Sequence, residues 1–228
     1  MSEVRVIEIH ENALAGNDRC AENIRRLLKE NGTYFMNVMS SPGSGKTTLL
    51  CRWIPLLKEK YRIAEMDVDI ESSLDARRVS DETGVRSMQI HNGGLCHIDA
   101  DMTLRAIRQF GTENTDLLIL ENIGNLVCPA EFDTGAHLNL MLYSVPEGDD
   151  KPLKYPLMFS VCDLIVITKI DTLPFFNFDM DKALERIRCC NPKAAVISVS
   201  AKTGEGLERL NAELDRRISK FRGGTTDD

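Results

Sequence analysis

The chain has 228 residues, 43 % of them hydrophobic and 28 % charged, and carries a net charge of −7. That composition is enough to bury one large core, and the acidic balance excludes a nucleic-acid binder that works through a basic face. No uninterrupted apolar run reaches the length of a signal sequence or a membrane span, so no membrane partner is expected and the expected location is cytoplasmic.

Asn12 to Asn31 places Leu14, Ile24, Leu27 and Leu28 at helical spacing, with Gly32 as the stop. Residues 1–32 therefore read as an N-terminal extension and helix packed on a larger unit, residues 33–222, with 223–228 a disordered tail. Tyr34 to Met39 is an apolar strand, followed by Ser40-Ser41-Pro42-Gly43-Ser44-Gly45-Lys46-Thr47-Thr48 and a helical pattern to Lys60 that contains Pro55. Strand, glycine-rich turn and helix in that order form a phosphate cradle. Gly43, Ser44 and Gly45 offer backbone N–H groups, Lys46 reaches the terminal phosphates, Thr47 offers its hydroxyl to Mg²⁺, and Thr48 completes the motif. The usual pattern has glycine where Ser40 stands.

Arg62 to Met66 is a short strand leading into an acidic stretch, Asp67 to Asp75, where a loop could meet Mg²⁺ and the terminal phosphate. Val85 to Ile90 is the next strand. It runs into Asn92-Gly93-Gly94-Leu95-Cys96-His97, and Asp99 is placed to cap a helix ending at Phe110. Adjacent thiolate and imidazole are strong ligands for Zn²⁺ or Ni²⁺, but they supply at most two of the four donors of a closed site. The rest could come from Cys128 or from a second copy of the chain, and both routes lead to metal-linked dimers.

Asp116 to Leu120 is a buried strand that ends in Glu121-Asn122-Ile123-Gly124, with Cys128-Pro129 beyond. Glu121 and Gly124 have the spacing of a magnesium-holding acid and a terminal-phosphate sensor, and Cys128 lies on the segment that moves with them. His137 to Val145 alternates like a strand, and 146–156 reads as a charged, proline-bearing loop without chemistry. Asp163 to Thr168 runs into Lys169-Ile170-Asp171, where a carboxylate meets the N1 and amino donors of guanine and the lysine stem lies along the base. Adenine lacks that donor pair, which points to GTP. Thr168 stands where the motif usually has asparagine, a departure expected to weaken the loop's internal bonding. Val196 to Val199 leads to Ser200, Ala201 and Lys202, which face the guanine from the other side, and a helix over 205–221 closes the chain. Among the seven cysteines, Cys20, Cys51 and Cys162 read as packing residues, and Cys189 and Cys190, which could be argued as another metal pair, read as the end of a helix with no histidine near them in sequence.

On Ser41 to Thr48, Cys96-His97-Ile98-Asp99-Ala100 and Glu121 to Pro129, the chain resembles the HypB family of hydrogenase nickel-incorporation GTPases, in the SIMIBI class of P-loop proteins. The resemblance covers nearly the whole chain, and serine at the position of Ser40 is usual in that family. It implies an α/β fold with a mostly parallel central sheet flanked by helices, GTP hydrolysis with Mg²⁺, and a GTP-promoted homodimer; turnover is expected to be slow, since the sequence offers no obvious arginine finger or catalytic glutamine. It also implies a Ni²⁺ or Zn²⁺ site at the dimer interface, formed by the residues matching Cys96, His97 and Cys128. The implied partners are a HypA-like metallochaperone and the large subunit of [NiFe]-hydrogenase. Asp69 and Asp75 match acidic positions of the first switch, where magnesium binding or water activation is expected, so Thr47, Asp69 and Glu121 are the candidate magnesium ligands. Lys46, Asp69 and Asp75 are the candidate catalytic residues. The alternatives are a urease-type, UreG-like nickel GTPase and a regulatory GTPase without metal. UreG's metal motif separates cysteine from histidine, whereas Cys96 and His97 are adjacent.

Overall fold

Among the described residues, seven short strands separated by helical segments build one parallel sheet. The structure, a computed structural model, describes residues 9–69 and 74–223, with side chains from residue 14; expectations for residues 1–8, 70–73 and the tail beyond 223 lie outside them. The chain runs α1 (Ile9–Glu30), β1 (Tyr34–Ser40), α2 (Lys46–Leu57), β2 (Ile63–Val68), α3 (Leu74–Thr83), β3 (Arg86–Ile90), α4 (Ala100–Phe110) and β4 (Leu117–Gly124). It continues with α5 (Cys128–Glu131), β5 (Leu138–Ser144), α6 (Lys151–Lys154), α7 (Pro156–Val161), β6 (Leu164–Thr168), α8 (Met180–Cys190), β7 (Ala195–Ser198) and α9 (Leu207–Phe221).

Among the described residues the sheet order is β3-β2-β4-β1-β5-β6-β7, and every neighbouring pair is parallel. A parallel sheet covered on both faces needs strands apolar on both sides, and β1 is buried along its whole length. Successive β1 side chains alternate between the two cores. Tyr34, Met36 and Val38 meet Trp53 and Ile54 of α2 and Leu210, Leu214 and Ile218 of α9. Phe35 faces the opposite way, against Ile24 and Leu28 of α1 and Leu104 and Ile107 of α4. On that second face, Met158, Phe159, Ala183 and Ile187 of α7 and α8 cover Met141, Ile165 and Ile167.

Because all strands point the same way, the loops after β1, β2, β3, β4 and β6 gather at one edge of the sheet, where open α/β sheets bind their ligands. Two local expectations need correction. Residues 146–156 are not a plain loop: a 3₁₀ turn (Val145–Glu147) and the short helices α6 and α7 occupy this region, each opened by a proline in its first turn. The α2 pattern stops at Leu57 rather than Lys60, two residues after Pro55 removes a backbone donor. Among the described residues no helix is long and apolar enough to cross a membrane.

Candidate functional site

The turn between β1 and α2 takes up left-handed backbone at Gly43 (φ +75°) and Gly45 (φ +95°), which L side chains rarely adopt, and so bends its N–H groups inward. Lys46 Nζ donates to Ser40 Oγ at 3.1 Å, folded back over the loop it would serve. Thr48 is exposed beside Arg78, whose Nη1 lies 3.4 Å from its hydroxyl. Gly124 sits opposite: a Cβ there would lie 3.1 Å from both N and Cα of Pro42, so the end of β4 touches the phosphate loop through bare backbone. The sequence missed a brace behind this loop. Glu147 accepts hydrogen bonds from Ser41 Oγ, from Ser44 Oγ at 2.8 Å and from Ser144 N at 2.8 Å, tying the loop to the end of β5.

In front of the loop, a cavity of about 320 Å³ is lined by Lys46, Asp67, Asp69, Asp75, Glu121 and Gly124 among others. Glu121 is buried. Its Oε1 accepts from Thr47 Oγ1 at 2.8 Å, and its Oε2 has no hydrogen-bond partner among the described residues. Asp67, next on the neighbouring strand, and Glu65 complete a set of carboxylates whose nearest oxygens lie within 4.8 Å of one another. Burial first, then the charges of Glu121, Asp75 and Asp69, push the Asp67 carboxyl up to about 8. Burial also raises Glu121 to about 7, opposed by Lys46 and Thr47. Glu65 is pushed to about 9 by burial and then by Glu121 and Asp67. Crowded carboxyls pushed toward their neutral form, two of them with orphaned oxygens beside a phosphate cradle, are a donor set that a hard divalent cation fits, because the cation favours their ionised form. Glu121, Asp69 and Asp75 thus line one cavity, and Thr47, which is buried, reaches it only through its hydrogen bond to Glu121. Asp67 joins them as a residue that sequence reasoning left inside its acidic stretch; the signal was its place at the end of a buried strand.

On the other side of the loop, a cavity of about 400 Å³ is lined by Gly45, Thr48, Thr168, Lys169, Asp171, Ala201 and Lys202 among others. Lys169 adopts left-handed backbone (φ +59°) at the end of β6, and its Nζ donates to Gly43 O at 2.7 Å. Asp171 accepts from the buried Ser200 Oγ at 2.6 Å, which holds its carboxylate toward this cavity. Thr168 does not weaken the loop. Its Oγ1 donates to Ser44 O at 3.0 Å and tethers β6 to the phosphate turn with a hydroxyl.

The loops after β3 and β4 bring Cys96, His97 and Cys128 together, although Cys96 and Cys128 stand 32 positions apart. Their sulfurs lie 2.7 Å apart, and Cys96 Sγ is 3.8 Å from His97 Nδ1. Cys96 is exposed and Cys128 half-buried. Contact with Cys128, then burial, raises the Cys96 thiol above its ordinary value, a penalty that a bound cation would relieve. His97 stacks flat on Phe132, with ring centroids 3.9 Å apart and planes 9° from parallel. Leu95 and Val127, beside the two cysteines, are 42 % and 51 % exposed. Of the other cysteines, Cys51 and Cys162 are buried in the cores, and Cys190 donates to Pro152 O at 3.5 Å.

Residues 34–198 match the CobW/HypB/UreG nucleotide-binding domain. Over 215 residues the chain is 42 % identical to the hydrogenase maturation factor HypB of Rhizobium leguminosarum, covering 94 % of this chain and 72 % of that protein. The fold superposes with a TM-score of 0.83 on HypB from Archaeoglobus fulgidus, at 38 % identity and covering 90 % and 100 % of the two chains. It superposes equally, at 0.83, on HypB from Helicobacter pylori in complex with nickel, at 36 % identity and covering 93 % and 99 %. A domain match across the sheet, relatives of one kind along most of the chain and the same parallel-sheet architecture lead to one assignment: the chain belongs to the HypB hydrogenase maturation factors, with a nucleotide-binding domain of the CobW/HypB/UreG kind.

Proposed function

We propose that residues 33–222 form a GTPase domain that gates a nickel or zinc cargo site and serves nickel insertion into [NiFe]-hydrogenase. The observation that carries the proposal is the path of one segment. It leaves the phosphate loop at Gly124, against Pro42, and within a few residues delivers Cys128 to Cys96 and His97. A residue that senses the terminal phosphate and a residue that grips a soft metal thus share one short stretch of chain.

Each group has a task in that scheme. Gly43, Ser44, Gly45, Lys46, Thr47 and Thr48 cradle the phosphates, and Gly124 meets the terminal one. Asp171 selects guanine, with Lys169 along one side of the base and Ser200, Ala201 and Lys202 along the other. Thr47, Asp69 and Glu121, with Asp67 alongside, would hold Mg²⁺, which when bound supplies neutralisation of the phosphate charge. Asp75, in the first turn of α3 and on the wall of the same cavity, is placed to orient or deprotonate the attacking water. No arginine finger is assigned, in keeping with slow turnover.

Cys96, His97 and Cys128 hold the cargo, three donors of a four-donor set. Exposed Leu95 and Val127 beside them suit burial against a second copy. GTP orders the switch segments and promotes that homodimer, and hydrolysis loosens Gly124 and with it Cys128. A HypA-like metallochaperone and the hydrogenase large subunit are the proposed recipients. Adjacent Cys96 and His97 favour this over a UreG-like role. The test is equilibrium dialysis with Ni²⁺ and Zn²⁺ on the wild type and on Cys96→Ser. Loss of uptake in the variant is expected; equal, negligible uptake by both proteins overturns the cargo reading.

A further inference from the structure

Asn125 lies between the phosphate-facing glycine and the metal-facing cysteine, and its side chain reaches both ligand-bearing segments. Its Oδ1 accepts from Val127 N at 2.9 Å, which closes the turn that starts α5 at Cys128. Its Nδ2 donates to Cys96 O at 3.3 Å, across to the loop after β3. One carboxamide therefore caps the turn that aims one sulfur and holds the backbone that carries the other.

The remaining ties fix each segment to the body of the protein. Asn92 Nδ2 donates to Leu95 O at 2.7 Å and to His97 O at 2.8 Å, which sets the curvature of the loop after β3. Asn17 of α1 accepts from Ala100 N at 2.8 Å and donates to Asp133 O at 2.9 Å, and Arg25 of α1 grips both Asp133 carboxylate oxygens. Phe132, which stacks on His97, adjoins that pinned Asp133. The far ends of both segments are thus anchored on α1, while the near end of one begins at Gly124, in contact with the phosphate loop. A displacement of Gly124 has to be taken up between these anchors, where Asn125 stands.

We propose that Asn125 is the positioning residue that couples the nucleotide site to the cargo ligands: it passes a shift of Gly124 to Cys96 through Nδ2 and to Cys128 through the turn capped by Oδ1. The inference rests on the reading of Cys96, His97 and Cys128 as cargo ligands. Coupling of this kind is reciprocal, so nickel changes nucleotide affinity by the factor by which nucleotide changes nickel affinity.

Asn125→Asp isolates the contact. It keeps an oxygen for Val127 N–H and sets an oxygen in place of the donor to Cys96 O. Nickel dissociation constants are measured against a chromophoric chelator with GDP and with a non-hydrolysable GTP analogue bound, and analogue affinity is measured with and without nickel. In the wild type the two nickel constants differ by about fivefold or more, and the reciprocal ratio agrees. In Asn125→Asp both ratios fall to within about twofold of one, while GDP affinity and nickel affinity in the GDP form stay within about threefold of wild type, which also reports an intact fold. Ratios unchanged from wild type in Asn125→Asp, or wild-type ratios of one, overturn the inference. Cys96→Ser separates the two ideas: if it binds nickel as the wild type does, the cargo reading fails and takes the inference with it. If Cys96→Ser loses nickel and Asn125→Asp keeps its ratios, the inference alone fails.

Discussion

Replacing Glu65 by glutamine should stabilise the metal-free protein, and increasingly so at higher pH. Glu65 is fully buried, neither carboxyl oxygen has a hydrogen-bond partner among the described residues, and its neighbours are the carboxyls of Asp67 and Glu121. Burial and those neighbours raise it from 4.5 to about 9. A carboxyl whose folded pKa lies above its unfolded value contributes most stability below the unfolded pKa, and that contribution is lost as pH rises toward the folded pKa. The unfolded chain gives up the proton from about pH 4.5, whereas the folded chain keeps it to about 9. At roughly 1.4 kcal/mol per unit, the ceiling on the cost is about 2 kcal/mol at pH 6 and about 5 kcal/mol at pH 8.

Glutamine does not titrate, and its NH₂ can donate to the adjacent carboxyls. Sharing the strain among three interacting carboxyls brings the expected gain of Glu65→Gln to about 2 kcal/mol at pH 8 and about 1 kcal/mol at pH 6. Urea unfolding of both proteins with EDTA and without nucleotide, at the two pH values, measures it. A variant less stable than wild type at pH 8, or a gap that does not widen between pH 6 and pH 8, would refute the placement of Glu65 in a strained carboxyl cluster.

Three further outcomes follow from the other sites. Asp171→Asn exchanges an acceptor for a donor opposite guanine, so GTP affinity measured by isothermal titration should fall by about 2–4 kcal/mol, with xanthosine triphosphate gaining; unchanged GTP binding would mean the base lies elsewhere. Cys128→Ala should leave GTP binding within about threefold of wild type while nickel affinity drops about tenfold or more, both read by competition titration. Phe132→Leu removes a stack worth about 0.5–1.5 kcal/mol, so nickel affinity should fall roughly two- to tenfold and return in Phe132→Tyr; equal affinities in all three proteins would show that the ring plane of His97 does not matter.

Much of the site was legible because its residues lie in short runs whose spacing carries the chemistry. Lys46 and Thr47 follow their glycines directly, Lys169 and Asp171 sit at the end of one strand, and Cys96 and His97 are adjacent. The convergence of Cys128 on Cys96 was open to inference only because Cys128 lies four residues beyond Gly124 on a segment of recognisable type. What escaped depends on contacts across the sheet. Glu147 braces Ser41 and Ser44 from more than 100 residues away, on a turn preceding two helices too short to leave a periodic pattern. Glu65 and Asp67 meet Glu121 only because β2 pairs with β4, and that order is not written in either strand. Thr168 looked like a defect against the usual asparagine until the fold placed its hydroxyl on Ser44 O.

The central claim is that the metal-gripping residues ride on the segment that senses the terminal phosphate. Crystals of the protein with nickel, grown in the GDP form and with a non-hydrolysable GTP analogue, and read by anomalous scattering at the nickel edge, test it most directly. The account predicts a nickel peak within bonding distance of Cys96, His97 and Cys128 in at least one form, with Gly124 and the Cys128 sulfur displaced together between the two. A nickel peak away from both cysteines, or a Cys128 that holds its place while Gly124 moves, would contradict it.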